Sequence, residues 1–316
     1  RGVPVFNAPG ANANAVKELV IAGMLLAARN ICPAWRYVQE LEAEGAALNK
    51  LVEAGKKKFV GFELPARTLG VVGLGAIGGE VANAAHSLGM RVIGFDPQLT
   101  VERAWQLSSG IEQARSLDDL FSRADIVSFH VPLNDATRNL ANAERIALMP
   151  EGSVLLNFAR GGIVDDEAVE SALAGNRLAA YVTDFPVAGL KDHPRVVALP
   201  HLGASTGEAE ENCAIMVANN VRDYLENGNI RHSVNFPEAQ MPREGDNRLT
   251  IANMNVPNMV GQISTCLADA GLNIHDMLNK SRGEIAYTLV DLDGSMSDET
   301  MQRIRGIDGV LSARLV

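Results

Sequence analysis

The middle of the chain alternates short apolar runs with longer segments of mixed polarity. Strands that are apolar throughout are buried on both faces, which is typical of a parallel sheet covered by helices. The pattern therefore predicts an α/β fold built on a Rossmann-type, doubly wound parallel sheet. Six runs rich in β-branched residues give its strands: "TLGVVG", "RVIGFD", "DIVSFHVP", "GSVLLNFA", "LAAYVTD" and "RVVALPH".

Long helices are predicted before and after this alternating region. Residues 14–30 carry apolar side chains at helical spacing, and so does the segment "TGEAEENCAIMVANNVRDYLENG", which ends at Gly228 in a C-cap position. Residues 235–246 are rich in proline, glycine and charge, as linkers are. Beyond them the order strand, helix, strand, strand, helix, strand predicts a ferredoxin-like β-α-β-β-α-β domain over 247–316.

Composition narrows the class of protein. With 316 residues and 47% hydrophobic side chains, the chain is expected to form more than one domain. A formal charge of −10 argues against binding to nucleic acid or to an anionic membrane. No apolar run approaches the roughly 18 residues that span a bilayer. The cysteines Cys32, Cys213 and Cys266 lie far apart, show no metal-ligand spacing and fit a reducing cytoplasm.

The strongest chemical motif is a glycine-rich turn between a predicted strand and a predicted helix. Gly73, Gly75 and Gly78 form G-x-G-x-x-G, and Asp96 closes the next strand. The first glycine permits a tight turn, the second admits a pyrophosphate and the third lets the helix pack on the strand. The motif predicts a dinucleotide site. Asp96 is expected to accept hydrogen bonds from the ribose and to repel a 2′-phosphate, which favours NAD over NADP.

Three further side chains follow predicted strands at the edge where such sheets bind ligands. The planar fork of Arg160 suits a carboxylate or 2-oxo acid, although an arginine here could also cap the helix that begins near Asp165 or pair with Asp166. His201, in "LPHLGAST", is either a packing residue or a proton carrier. Asp184 ends the strand "AYVTD" and is either a turn aspartate or a ligand contact.

Four of these segments together resemble the D-isomer-specific 2-hydroxyacid dehydrogenase family: "GFELPARTLGVVGLGAIG", "FHVP", "NFARGGIVDDEAV" and "LPHLGAST". The tail resembles an ACT domain. The resemblance implies that residues 1–12 and 203–234 belong to a partial, flavodoxin-like substrate-binding domain and 13–202 to the NAD-binding domain. It further implies a linker over 235–246, an ACT-like regulatory domain over 247–316, and an N-terminal segment missing before residue 1.

The resemblance also implies a role for each matching residue. Arg160 binds and polarises the carboxylate and C2 oxygen of the substrate, and His201 is the general acid and base. The expected cofactor contacts are Ala76 and Ile77 at the pyrophosphate, Asp96 at the ribose, Val131 and Pro132 near the adenine, Phe158 and Ala159 beside the nicotinamide, and Asp184 at its carboxamide.

The sequence departs from the family where a glutamate usually hydrogen-bonds the histidine. The corresponding stretch, "DFPVAGLKDHPR", has no glutamate. Three alternatives stay open: Asp192 or Asp184 orients His201, the imidazole works without a carboxylate, or Lys191 shares the proton chemistry.

In the tail, Asn255 and Asn273 match asparagines that bind serine in related ACT domains. Asn258 stands after Pro257 where a glycine is usual, which leaves two alternatives. The domain either binds serine or is a dimerising module without a ligand.

The resemblance implies NAD-dependent interconversion of 3-phospho-D-glycerate and 3-phosphohydroxypyruvate, the first step of phosphorylated serine biosynthesis. The expected form is a cytoplasmic homodimer or homotetramer with no nucleic-acid or membrane partner and no metal. The ACT-like tail favours this substrate over glyoxylate or D-lactate. The remaining alternative is a non-catalytic sensor of NAD(H) or of an amino acid, against which the presence of both Arg160 and His201 argues.

Overall fold

The computed structural model describes residues 2–244 and 247–316. Its contacts divide the chain into two compact units. The parallel-sheet unit is Asn12–Glu210, and the antiparallel-sheet unit consists of the residues up to Ala11 together with Glu211–Val316. The last two residues of the expected linker, Gly245 and Asp246, lie outside the described residues, as does Arg1 at the start of the expected substrate-binding domain.

The parallel-sheet unit contains a seven-stranded sheet in the order β3-β2-β1-β4-β5-β6-β7, in which every neighbouring pair is parallel. This confirms the predicted doubly wound sheet. The strand order reverses between β1 and β4, which opens a crevice at the carboxyl ends of these strands. The strands are β1 Thr68–Val72, β2 Arg91–Phe95, β3 Ile111–Gln113, β4 Ile126–Phe129, β5 Ser153–Asn157, β6 Leu178–Thr183 and β7 Val196–Ala198.

Helices cover the sheet and bury its central strands. Strands β1, β4 and β5 are buried at every position, which explains why they are apolar without alternation. Two apolar clusters form the core, one around Phe121 and Phe129 and the other around Met24 and Leu69. The helices of this unit are α1 Ala13–Ala28, α2 Ile31–Gln39, α3 Gly45–Gly55, α4 Ala76–Ser87, α5 Val101–Ala104, α6 Leu117–Arg123, α7 Ala143–Leu148 and α8 Asp166–Ala174, with a 3₁₀ turn at Lys56–Phe59.

The antiparallel-sheet unit has a four-stranded sheet in the order β11-β8-β10-β9. The predicted strand, helix, strand, strand, helix, strand order is confirmed. The long helix α9 Gly207–Asn227 ends before Gly228, whose φ of 72° is the left-handed conformation expected of a glycine after a helix. The elements that follow it are β8 Asn247–Met254, α10 Met259–Asp269, β9 Asn273–Arg282, β10 Ile285–Asp293, α11 Asp298–Arg305 and β11 Val310–Leu315.

The described part of the expected linker packs as part of the antiparallel-sheet unit instead of running through solvent. Phe236, Ala239 and Met241 are buried in a cluster that includes Tyr287. The backbone of Ala239 pairs with Ile230 in an antiparallel bridge. Three apolar side chains among prolines and charges are enough to fix this segment, because each finds a place in an existing core.

An ion pair with no exposed surface anchors the same segment. The guanidinium of Arg248 donates to both carboxylate oxygens of Asp291, over 2.5 and 2.7 Å. It also donates to the carbonyls of Asn227, Met241 and Pro242. Burial alone raises the pKa of Asp291, but the hydrogen bonds from Arg248 and from a backbone N–H outweigh it and hold the pKa below its usual value.

Candidate active site

The predicted catalytic and cofactor residues all follow the carboxyl ends of strands in the parallel-sheet unit. Parallel strands end at the same edge of a sheet, so the structure brings these residues to one edge, beside the reversal of strand order. Gly73 follows β1, Asp96 follows β2, Val131 and Pro132 follow β4, Phe158 to Arg160 follow β5, Asp184 follows β6 and His201 follows β7.

Steric contacts explain two glycines of the G-x-G-x-x-G turn. Gly73 has a φ of 89°, and a Cβ there would lie 2.7 Å from the carbonyl oxygen of His130. A Cβ on Gly78 would lie 1.9 Å from the carbonyl oxygen of Gly73. The turn and the packing of α4 on β1 therefore require glycine at both positions.

Gly75 differs, because a Cβ there would meet no protein atom within 4 Å. It is the N-cap residue of α4, and the first helical hydrogen bond runs from the N–H of Gly79 to its carbonyl over 2.9 Å. The N–H groups of Ala76 and Ile77 lie in the first turn, ahead of this bond, with open space beside Gly75. Free N–H groups and the positive end of a helix suit a phosphate.

Asp96 braces the glycine turn. Its carboxylate accepts the N–H of Leu74 over 2.9 Å and the N–H of Gln98 over 2.8 Å. A carboxylate has about four acceptor positions, so it retains capacity for the hydroxyls of a ribose.

The end of β4 places a neutral histidine beneath the turn. His130 hydrogen-bonds Ser128 through Nε2 over 2.9 Å, and burial lowers the pKa of His130 to about 3. The next residue, Val131, packs on the core, whereas Pro132 is exposed and its carbonyl accepts the hydroxyl of Thr137. His130 is therefore a packing residue of this turn.

A buried asparagine shapes the turn that carries Arg160. Asn157, 1% exposed, donates from Nδ2 to the carbonyl of Arg160 over 2.9 Å and accepts the N–H of Ala159 over 3.2 Å. The guanidinium of Arg160 is exposed and donates to the carbonyl of Ala159. Asp165, through its side chain, caps α8. Sequence reasoning missed Asn157, although a polar residue ending the apolar strand "SVLLN" was a usable signal.

Asp184 is a buried carboxylate with unused hydrogen-bonding capacity. It is 1% exposed, and within the described ranges neither of its oxygens has a hydrogen-bond partner. Burial raises the pKa of Asp184. The nearby His201 and the backbone N–H groups of Gly203, Asp184 and Leu202, which lie close to the carboxylate without meeting hydrogen-bond geometry, lower it in part. An orphaned buried acceptor of this kind fits an amide donor from a ligand.

His201 is exposed and makes an aromatic contact. Its ring centroid lies 4.7 Å from that of Phe185, with 48° between the planes. Asp192, which sequence reasoning offered as a partner, forms an ion pair of 3.2 Å with Lys191, and its side chain is 84% exposed. In the part of the chain that the structure describes, no carboxylate is hydrogen-bonded to the imidazole, and the influence of His201 on the pKa of Asp184 is electrostatic.

The two asparagines of the expected regulatory site are not brought together. Asn255 donates to the carbonyl of Gly283 over 3.1 Å, at the β9–β10 turn. Asn273 donates to Asp293 over 2.8 Å, and this pair closes the opposite end of the β9–β10 ladder. Asn258 has a φ of 64°, so it adopts the left-handed conformation for which glycine is usual.

Among the described residues, no helix is both long and apolar enough to cross a membrane. The same residues contain no group of three or more histidine, cysteine, aspartate or glutamate side chains placed to hold a metal.

A doubly wound sheet with a glycine turn, an acidic residue after β2 and an arginine and a histidine at the same edge defines a dinucleotide-dependent dehydrogenase. Residues 21–203 match the NAD binding domain of D-isomer specific 2-hydroxyacid dehydrogenases, and the chain belongs to this family.

Individual members of this family are similar to the chain over most of its length. The D-3-phosphoglycerate dehydrogenase of Haemophilus influenzae is 35% identical over 328 residues, which cover 100% of this chain and 76% of that protein. The NAD⁺-bound 3-phosphoglycerate dehydrogenase of Entamoeba histolytica is 28% identical with a TM-score of 0.56, covering 74% of this chain and 68% of that one. The D-mandelate dehydrogenase of Rhodotorula graminis is 26% identical with a TM-score of 0.66, covering 76% and 70%. The chain is an NAD-dependent oxidoreductase.

Proposed function

We propose that this protein interconverts 3-phospho-D-glycerate and 3-phosphohydroxypyruvate by hydride transfer with NAD(H), as the first step of phosphorylated serine biosynthesis. The observation that carries the proposal is the arrangement of Arg160, Asp184 and His201 after β5, β6 and β7, neighbouring strands of one sheet. The likeness to D-3-phosphoglycerate dehydrogenases over the whole chain supports this substrate over glyoxylate or D-lactate.

NAD fits the residues present. The open space at Gly75 and the first turn of α4, with Ala76 and Ile77, suit the pyrophosphate, and the free acceptor positions of Asp96 suit the adenosine ribose. The orphaned oxygens of Asp184 suit the carboxamide. The other proposed contacts are Gly73 and Gly78 in the turn, Val131 and Pro132 near the adenine, and Phe158 and Ala159 beside the nicotinamide.

In this mechanism Arg160 binds the substrate and His201 transfers the proton. When bound, NAD supplies the hydride acceptor at its nicotinamide ring. The guanidinium of Arg160 binds the substrate carboxylate and stabilises charge on the C2 oxygen. His201 takes the hydroxyl proton during oxidation and returns it during reduction, which an imidazole can do near neutral pH.

The preference for NAD over NADP follows from the charge of Asp96. A carboxylate at the ribose accepts hydrogen bonds from its hydroxyls and repels a 2′-phosphate. Its bonds to Leu74 and Gln98 hold it in place before any cofactor binds.

The same proposal assigns 247–316 to an ACT-like regulatory domain that binds serine. Asn255 and Asn273 lie at opposite ends of a ladder nine residues long, about 30 Å apart, so one serine cannot bridge both within one chain. A homodimer or homotetramer that brings Asn255 of one copy to Asn273 of another removes this obstacle. The linker at 235–246 and the partial substrate-binding domain at 1–12 and 203–234 complete the proposed organisation, with 13–202 binding NAD.

The proposed location is the cytoplasm. Cys32, Cys213 and Cys266 are free thiols, and Cys266 is buried. Thiols persist in a reducing compartment.

The test is the initial rate of NADH oxidation by the full-length protein with 3-phosphohydroxypyruvate, glyoxylate or pyruvate. We expect a rate specific to the phosphorylated substrate. The His201→Ala variant is expected to lose about 10²- to 10⁴-fold in kcat. His193→Ala is the matched control, since His193 instead accepts the N–H of Arg195. If NADH binds but no acid is reduced, the proposed reaction is wrong and a sensing role replaces it.

A further inference from the structure

We infer that Phe185 is the positioning residue for His201, in the place where related enzymes use a carboxylate; this inference rests on the proposed function. Its ring contacts the imidazole, and its Cβ lies beside the turn that follows Arg160. The imidazole of His201 is 4.7 Å away, centroid to centroid. A Cβ at Gly161, directly after Arg160, would lie 3.8 Å from the Cβ of Phe185.

The backbone around Phe185 is fixed, as a positioning residue requires. The N–H of Phe185 donates to the hydroxyl of Thr183 over 3.0 Å, and Thr183 is 2% exposed. Pro186 follows and confines Phe185 to extended backbone angles. On the other side of Phe185 stands Asp184, which is buried. The ring therefore starts from a rigid strand end instead of a free loop.

The ring contact suits an imidazole that changes charge. Tilted aromatic pairs are favourable at centroid distances of about 4.5–7 Å, and a cation gains further from a ring face. A phenyl ring takes up neither imidazole nitrogen, so both stay available for proton exchange with the C2 oxygen or with water. A carboxylate partner instead occupies one nitrogen and fixes the tautomer. Phe185 thus orients the imidazole without setting its tautomer.

The test compares Phe185→Leu, which keeps apolar volume but removes the ring, with Phe185→Tyr, which keeps the ring. In NADH oxidation with 3-phosphohydroxypyruvate, we expect Phe185→Leu to lower kcat about tenfold. Both KM values should stay within about twofold of the wild-type values, because ground-state binding is unaffected. Phe185→Tyr should retain most of kcat.

A matched control removes a similar ring pair outside the site. Phe59 packs on Tyr37 with centroids 5.4 Å apart and 49° between the planes. Phe59→Leu is expected to leave kcat unchanged. A kcat that is unchanged in Phe185→Leu, or one that falls equally in Phe59→Leu, would overturn the inference.

Nuclear magnetic resonance of ¹³C,¹⁵N-histidine-labelled protein gives a readout that does not depend on turnover. The ring current of Phe185 should displace the His201 ring protons, and Phe185→Leu should move them toward random-coil shifts while Phe185→Tyr does not. No displacement refutes the contact. If the wild-type protein reduces none of the acids while the displacement is present, the contact stands, and the proposed function and the positioning role both fall.

Discussion

At position 184 the protein buries a carboxylate whose oxygens accept no hydrogen bond from the described residues. An unsatisfied buried acceptor lowers stability, and it is kept where a ligand completes it. The raised pKa of Asp184 reflects the same burial. A carboxyl group whose pKa is raised by folding lowers stability once the pH is above that pKa.

Replacing this carboxylate by an amide should therefore increase the stability of the apo protein while weakening its binding of the cofactor. Asp184→Asn is expected to raise the free energy of unfolding of the apo protein by about 1–2 kcal/mol at pH 7. The gain should shrink as the pH falls through the raised pKa toward the unfolded value of about 3.9. The dissociation constant of NADH should rise about tenfold, the equivalent of about 1.4 kcal/mol.

Thermal unfolding at several pH values and a fluorescence titration with NADH measure the two effects. Asp192→Asn, at an exposed position paired with Lys191, is the control and should change neither quantity. An apo protein that is less stable at pH 7 after Asp184→Asn would contradict this account.

The common position of Arg160, Asp184 and His201 at one edge of the sheet was predictable, because a charged or titratable side chain after an apolar strand is conspicuous. Residues that act through their surroundings were not predictable. Phe185 and Asn157 were missed because a phenylalanine or an asparagine has many ordinary roles. Their importance depends on which loop lies beside them, and only the assembled sheet determines that.

At the scale of elements, the turn between β1 and α4 uses its glycines for different reasons. Gly78 lacks room for a side chain because of the carbonyl of Gly73, whereas Gly75 has open space. The φ of Gly75 is −66°, so it does not adopt the left-handed conformation that favours glycine. The apo fold thus requires Gly78, whereas the space beside Gly75 matters only to a ligand.

Alanine substitution should distinguish the two. Gly78→Ala is expected to lower the free energy of unfolding by about 1–3 kcal/mol. Gly75→Ala should leave the melting temperature unchanged but raise the dissociation constant of NADH about tenfold or more. Gly79→Ala is the control within the same helix, because its Cβ meets Leu107 at an ordinary 3.5 Å. Equal losses of stability in Gly75→Ala and Gly78→Ala would refute the distinction.

Most elements that the sequence predicted are long or largely buried, although β7 has only three residues, each half-buried. All six predicted strands of the parallel sheet are present. Strand β3 was missed, because it has three residues and two of them are exposed, so no apolar run marks it. The short helix α2 was missed as well, and none of its residues is buried. A buried element needs apolar residues at regular spacing, and this periodicity can be recognised in the sequence, whereas an element at the surface lacks it.

At the scale of the molecule, the two units have separate cores and opposite responses to acid. The ion pair of Arg248 and Asp291 holds the pKa of Asp291 low. Its contribution to stability is fully present above the unfolded pKa of about 3.9 and is lost as the pH falls through the lowered value. In the parallel-sheet unit, by contrast, protonation of Asp184 removes the free-energy cost of burying its negative charge and so increases stability.

Asp291→Asn should therefore destabilise the antiparallel-sheet unit selectively. We expect a loss of about 3–5 kcal/mol, because the buried guanidinium of Arg248 keeps its charge without a counterion. NADH binding should persist, since none of its proposed contacts lies in this unit. Calorimetry checks the first effect and a fluorescence titration the second.

Asp269→Asn is the control for this substitution, because Asp269 and Arg303 form an exposed pair in the same unit. It should leave the unfolding curve as it is. A curve for Asp291→Asn that matches the wild type would show that the buried pair adds no stability.

The linker expectation shows why organisation is harder to predict than elements. Proline and charge around Phe236 and Met241 are typical of a tether, yet both side chains are buried. The burial of Arg248 could not be predicted either. A charged residue in a strand is usually exposed, and its counterion Asp291 is 43 residues away in the sequence.

The order of the site residues along the chain has a consequence for biosynthesis. Gly73, Gly75 and Asp96 come early, Arg160 and Asp184 follow, and His201 comes last. A nascent chain leaving the ribosome thus completes the adenosine half of its cofactor site well before the reacting half. A polypeptide released before β7 would retain every proposed cofactor contact and Arg160 but lack His201, and we expect it to bind the dinucleotide without turning it over.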